Sequence, residues 1–436
     1  MARNGKPDAI YVTGIAHEYP QFSVKQEQFQ GLLEKLYPEH SNVEGLQKLV
    51  ALNNKTNILA RPTVQDYTQW TKEDSKPPTI DSISRVFRTV SGDLATSACN
   101  KAIKEAGLAP NDITHVVAVT CTDQGNPGYD LFVCQKLGLR PEVQRVLLQG
   151  VGCAGGLSAL RTAADIVAAA SQKRRPARVL VMTCELCSLF LRAELQAAIR
   201  DGDSVHVAPA LFSDAAAALV VCNGDTLGEA QKPIFELDEW GSMAVPGTSD
   251  YMSYDIEKNG MIARISKDVP KAAVGAIIPM FEQLQSASSN SHSHGLPAPH
   301  PPPSAFDWAI HPGGTAILQG AKQALQLTDD HMKASLDVYR HYGNSSSSTV
   351  LIVLDKLRHM GKGRDKVVAT SFGPGLNIEM CILKRSRHSL GPVYSMADRH
   401  SKIYTIWLSF QSKLSRRVSR KGHAVMKTDG YISATH

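Results

Sequence analysis

Three residues carry the chemistry open to this sequence: Cys153, His311 and Asn344. Cys153 lies in Val146–Gly156, VLLQGVGCAGG, where an apolar run ends in glycine and Ala-Gly-Gly opens a helical pattern. This spacing predicts a thiol at a strand-to-helix turn, where the helix dipole and free N–H groups favour a thiolate. Flanking glycines let a reacting group approach the backbone closely. A buried structural cysteine at a tight turn fits the same pattern when it is read alone.

His311 lies in Trp308–Thr315, WAIHPGGT, at the end of an apolar run and before a sharp Pro-Gly-Gly turn. There it is placed as a general base or hydrogen-bond donor. Asn344, in Arg340–Ser348, RHYGNSSSS, follows a glycine in a loop. Its amide N–H groups suit an oxyanion or enolate, although asparagine also serves plain turn chemistry.

These residues need a scaffold. Short β-branched runs (Val116–Cys121, Val179–Cys184, Ala217–Cys222, Trp308–Ile310, Thr349–Leu354, Val367–Ser371) read as strands. They alternate with helical patterns at Asp93–Ala106, Leu157–Ser171 and Gly314–Leu325, which predicts an α/β protein. Element order suggests two similar halves, 1–224 with the cysteine and 225–385 with the histidine and asparagine. Ser286–Ser304, rich in Ser, His and Pro, reads as a flexible surface insert. Its His292, His294 and His300 are expected to be solvated rather than to hold a metal.

Composition narrows the function. The chain has 436 residues, 43% hydrophobic, at a net +6. Residues 386–436 carry nine Lys/Arg against two acids, so the body is close to neutral and the basicity belongs to an extension. A nucleic-acid binder is not expected. Contact of the basic extension with an anionic membrane surface is the minority reading beside a solvated tail. The N-terminus lacks an apolar signal segment, and no run is long enough to span a membrane. Eight cysteines in apolar runs read as free thiols, so a soluble cytoplasmic protein is expected. The Cys184/Cys187 CxxC has no second pair and is read as packing rather than a zinc or redox site.

In the order Cys…HPGG…YGN the three signals resemble the type III polyketide synthases, the chalcone-synthase-like branch of the thiolase superfamily. Gln135–Pro141 (QKLGLRP), Ala210–Asp214 (ALFSD), Lys267–Pro270 (KDVP) and Ser371–Leu376 (SFGPGL) support the resemblance, which spans roughly 8–384. It implies a thiolase-like fold with a layered αβαβα core. It also implies that Cys153 carries an acyl chain as a thioester, kept reactive by an ion pair with His311. His311 and Asn344 would stabilise the enolate formed from malonyl-CoA. Acyl-CoA and malonyl-CoA are then substrates, no further cofactor or metal is needed, and a homodimer is expected.

The resemblance extends to the pocket. Phe212 matches an aromatic gatekeeper, whereas Ala263 stands where plant enzymes keep a second one, widening the entrance. Tyr254 replaces a small residue, Cys187 and Phe190 replace small polar ones, and Ser346 matches a cavity serine. Lys55, Arg61 and Ala316 fall where the family contacts CoA, and Asn126 stands where plant relatives reach across a dimer interface with methionine. These departures, the insert and the extension are closer to fungal members that take fatty acyl starters and make alkylpyrones, alkylresorcinols or resorcylic acids. A single-step enzyme resembling ketoacyl-ACP synthase III and a catalytically silent acyl-CoA-binding paralogue are the competing readings.

Overall fold

The computed structural model describes residues 8–40, 42–202, 206–228, 231–290 and 300–386. His292, His294 and the expected extension beyond Ser386 lie outside these. Thirteen strands occur among the described residues: β1 (Ile10–Glu18), β2 (Phe22–Lys25), β3 (Ala60–Thr63), β4 (His115–Val119), β5 (Gln144–Leu148), β6 (Arg178–Leu186) and β7 (Asp214–Asn223) come first. They are followed by β8 (Phe235–Ala244), β9 (Met252–Glu257), β10 (Gly260–Ile265), β11 (Phe306–Ile310), β12 (Lys366–Gly373) and β13 (Asn377–Arg385).

Nine of them form one sheet, ordered β11-β12-β13-β8-β1-β7-β6-β4-β5. Its topology shows a duplication that the sequence only hints at. From β1 outward, the pairings with β7, β6 and β4 run antiparallel, antiparallel, parallel. From β8 outward, the pairings with β13, β12 and β11 repeat that order. The two halves join through a three-residue antiparallel pairing of β1 with β8.

Alternation along the strands builds five layers. On β7, Ala215, Ala217, Leu219 and Val221 face a central layer that holds the helices Gly155–Gln172 and Ser347–Leu357. The intervening Ala216, Ala218 and Val220 face the Ile80–Glu105 helix outside. In the second half, Val367 and Ala369 of β12 point to the same central helices, and Val368 and Phe372 pack on Val269–Asn290. The order is therefore αβαβα, the layering of the thiolase fold.

Thr349–Leu354, read as a strand, is instead the core of the Ser347–Leu357 helix, buried almost completely. Sheet surrounds it on both sides, so it is apolar all round and its β-branched run carries no helical stripe. The Val269–Asn290 helix also runs into the expected loop at Ser286.

The central helices meet at their N-termini. A Cβ on Gly156 would stand 2.3 Å from the Ser347 carbonyl oxygen, and one on Gly155 would stand 2.6 Å from Val119 Cγ2. Gly156→Ala is therefore expected to cost about 2–3 kcal/mol in denaturant or thermal unfolding. Gly275→Ala, with open space around an exposed helical position, should instead stabilise by about 0.5–1 kcal/mol.

Candidate active site

The strand β5 ends at Leu148, and Gly150 and Gly152 adopt positive φ of 76° and 49° before a 3-10 turn, Gly152–Ala154, opens the Gly155–Gln172 helix. Cys153 sits in that turn, half-buried, with its thiol at the helix N-terminus. The SFGPGL segment holds the turn from the other half. A Cβ on Gly373 would meet the Val151 carbonyl oxygen at 2.3 Å, and one on Gly152 would meet Pro374 at 2.6 Å. SFGPGL is thus a packing surface for the Cys153 turn.

Asn344 is placed by β-type pairing. Its N–H donates to Leu211 O at 2.9 Å and its carbonyl accepts from Ser213 N–H at 2.8 Å, which sets it beside Phe212. Gly343, at φ 69°, allows the approach, since a Cβ there would lie 2.7 Å from Leu211 O. Asn344 Oδ1 accepts from the Ser346 N–H at 2.8 Å and the Thr349 hydroxyl at 3.3 Å. The amide nitrogen is thereby left for Cys153, whose thiolate form Asn344 favours.

Ser346 adopts φ 49°, ψ −126°, a strained conformation for a serine, immediately before the Ser347–Leu357 helix. Its hydroxyl lies 3.5 Å from Cys153 Sγ and 3.2 Å from Cys121 Sγ. The N-termini of both central helices converge on this point, one carrying Cys153 and the other Asn344 and Ser346.

His311 ends β11, with its N–H bonded to Thr370 O at 2.8 Å. The ring is 1% exposed, and neither ring nitrogen has a hydrogen-bond partner. The expected Cys153–His311 pair is therefore not joined by a hydrogen bond in this structure. Burial pushes the Cys153 thiol up to about 11, opposed by Ser346 and Asn344, and pulls the His311 imidazole down to about 3. Each group in isolation is held neutral.

A small pocket is lined by Cys153, Cys187, Phe212, Tyr254, Ala263 and Ser346, together with Cys121 and Pro374. A second shares Cys187, Phe212 and Tyr254 and extends past Phe190 to Leu191 and Glu194. Phe190 is buried and meets Tyr254 edge-on, with ring centroids 5.8 Å apart. The predicted pocket residues are thus brought together, whereas His311 and Asn344 stand outside the cavity linings.

The CoA segment needs one correction. Arg61 is 3% exposed, donates to Gln26 Oε1, Asn53 Oδ1 and Ala210 O, and lies over the Phe29 ring. It braces the Ala210–Phe212 segment from inside and offers no charge to a phosphate at the surface. Lys55 and Ala316 are exposed, and the Thr315 hydroxyl donates to Thr56 O at 3.3 Å, tying their two segments together. Among the described residues no cluster of side chains is set to hold a metal, all eight cysteines are free, and no helix is long and apolar enough to cross a membrane.

Glu185 was not singled out from the sequence. It is fully buried and accepts from the Cys121 N–H, the Thr122 hydroxyl and the Ser347 hydroxyl, with no cation beside it. Burial raises its pKa above the carboxylate range. A lone acid in the apolar run VLVMTCEL was the available signal.

Two family models match the chain: the chalcone and stilbene synthase N-terminal domain over residues 4–225 and its C-terminal domain over 237–386. The chain belongs to the chalcone and stilbene synthase family of type III polyketide synthases. It is an acyl-transferring condensing enzyme. A type III polyketide synthase of Penicillium soppii, pspB, is 44% identical over 394 residues, covering 88% of this chain and 98% of that protein. The acylalkylpyrone synthase csyB of Aspergillus oryzae is 36% identical over 387 residues, covering 86% and 94%. A type III pentaketide synthase structure from Neurospora crassa superposes with a TM-score of 0.81 at 36% identity, covering 86% of this chain and 99% of that one. CsyB has also been solved with CoA-SH bound.

If His311 takes the Cys153 proton, wild-type alkylation by iodoacetamide should be flat between about pH 6 and pH 8. In His311→Ala, burial alone governs the thiol, so the rate should fall at neutral pH and climb steadily with pH. A His311→Ala profile matching wild type would remove His311 from thiol activation.

Proposed function

We propose that this synthase loads a medium- or long-chain fatty acyl group from CoA onto Cys153 and extends it iteratively with malonyl-CoA. Two observations carry this reading: Cys153 sits in a turn that lines an apolar cavity, and the buried His311 ring keeps two unclaimed nitrogens. Unpartnered buried polar groups cost free energy and persist where function uses them.

Cys153 passes its proton to His311, and the thiolate attacks the acyl thioester, releasing CoA. The positive charge on the imidazole and the negative charge on sulfur then offset the burial that each disfavours alone. In the extension step, His311 and the Asn344 amide donate to the malonyl thioester oxygen. Loss of CO₂ leaves an enolate that those donors stabilise as charge develops. The enolate attacks the Cys153 thioester and expels the Cys153 thiolate, leaving a chain one ketide unit longer on CoA. That chain is transferred back to Cys153 before the next extension. Phe212 presents an apolar face that disfavours the malonyl carboxylate and so favours its departure. The chain's own side chains and CoA thioesters suffice, with no further cofactor.

The apolar lining of the cavity beside Cys153 supports a fatty starter, and the CoA complex of CsyB supports CoA thioesters as its carriers. Lys55 and Ala316 are the residues offered to the CoA arm. Cyclisation yields an alkylpyrone, an alkylresorcinol or a resorcylic acid.

A homodimer is proposed through the outer edge of β5, which pairs with β4 alone. Val146 on that strand and Phe132 on the neighbouring helix are 39% and 36% exposed. Such an unprotected edge suits a second copy. Val146→Asp is expected to shift sedimentation toward a monomer, and an unchanged dimer would exclude this edge.

Products from hexanoyl-CoA and palmitoyl-CoA with malonyl-CoA test the main reading by mass spectrometry. Cyclised tri- or tetraketides are expected in wild type and none in Cys153→Ala. A lone β-ketoacyl product would mean a single-step enzyme instead.

A further inference from the structure

The wall of the second cavity contains a buried acid that the condensation does not use. Glu194, on the Leu191–Arg200 helix, is 3% exposed. One of its oxygens accepts from the Ala263 N–H at 2.7 Å. Ala263 lies on β10, which pairs with β9 alone, in a two-stranded ribbon marginal by itself. Ala263 stands opposite Tyr254 in that ribbon, and both line the cavity beside Cys153.

The other oxygen of Glu194 faces His206 Nδ1 at 3.4 Å, and His206 Nε2 lies 3.2 Å from Asp201. Asp201 is held by Arg200 at 2.7 Å and lies 3.8 Å from Arg264, the residue after Ala263. Arg264 in turn binds Asp255 and Glu257 on β9. The helix also packs on the ribbon directly: Ala193 and Ala197 meet Ile262, and Gly260 leaves no room for a side chain against Ala193.

We infer that Glu194 is a positioning residue that sets the acyl-chain capacity of the pocket. Resting on the proposed acyl loading of Cys153, it fixes the distance between the ribbon and the helix on either side of the second cavity. His206 and Asp201 hold the carboxylate in that pose. Phe190, immediately before the helix, and Tyr254, on the ribbon, form the edge-on ring pair between the walls. A change in wall spacing therefore acts on the space open to the starter tail, and not on the malonyl step.

Acylation of Cys153 by a series from hexanoyl- to stearoyl-CoA, read by intact-protein mass spectrometry without malonyl-CoA, tests this separately from product formation. Glu194→Ala leaves the Ala263 N–H unpartnered and removes the buried tie between helix and ribbon beside the cavity. The loading preference should shift to longer chains, and KM for the preferred wild-type starter should rise about tenfold while KM for malonyl-CoA stays within about twofold. Glu194→Gln keeps an acceptor for Ala263 and should restore the wild-type profile. A Glu194→Ala enzyme that melts like wild type yet loads the same chain lengths would overturn the inference. So would equal rises in both KM values. Should Glu194→Ala fail to fold, His206→Ala removes the second tether alone, and an unbroadened profile there counts against the inference equally. Wild type that accepts no acyl group on Cys153 would instead sink the loading reading itself, and this inference with it.

Discussion

Everything at the catalytic centre depends on how closely two buried helices approach at their first turns. Gly155 and Gly156 have no side chains, so the Cys153 helix can press onto β4 and onto the Ser347 carbonyl of its counterpart. Each helix brings part of the chemistry on the residues just before it. Cys153 arrives from the first half, and Asn344 and Ser346 from the second. The duplicated sheet makes the match geometrically natural, because the two helices occupy equivalent places in equivalent halves. A larger side chain at either glycine separates the thiol from its amide partner before it affects anything else.

Positive helix ends alone do not make the site polar enough for anions. The first turns contribute oriented N–H groups worth a few tenths to about 1 kcal/mol each. Against this, Glu185 lies buried close to Cys121 and Ser347, and a charge on it would disfavour a nearby thiolate. Burial raises the Glu185 pKa, and the Ser347, Cys121 and Thr122 donors oppose that rise. Cys153 therefore sits among opposing influences, with Ser346 and Asn344 lowering its pKa and burial with Glu185 raising it. The net upward shift is why a proton acceptor is needed, and why the unclaimed His311 nitrogens matter.

The candidate catalytic residues were legible because glycine-marked turns present them. GCAGG and YGN record steric demands that a side chain would violate, whereas Gly314 of HPGG has open space around it. The layered α/β class was legible from alternating apolar runs, but Thr349–Leu354 was misassigned because a helix buried on all sides loses its periodic stripe. Arg61 was misplaced because its charge marks it as basic without saying which way it points. It faces inward, to Gln26, Asn53 and Ala210. Glu185 and Glu194 escaped notice for a different reason. Their partners, Ser347 and Ala263, are 162 and 69 residues away along the chain, and only the fold brings them near.

The pocket departures act together. Reading Ala263 alone suggests a wider entrance, since a ring present in plant enzymes is missing there. Across the ribbon, however, Tyr254 supplies a ring, and Phe190 packs its edge against it. Aromatic bulk has moved from the entrance to the partition between two cavities. Tyr254 lines both cavities, and Phe190 lines the one that reaches Leu191 and Glu194. A flexible alkyl tail can pass such a partition more readily than a rigid planar ring, because it loses only rotamer freedom that its burial offsets. Under the proposed fatty-acyl loading, the same substitutions disfavour a planar aromatic starter, and the wall that limits the tail is the one Glu194 holds.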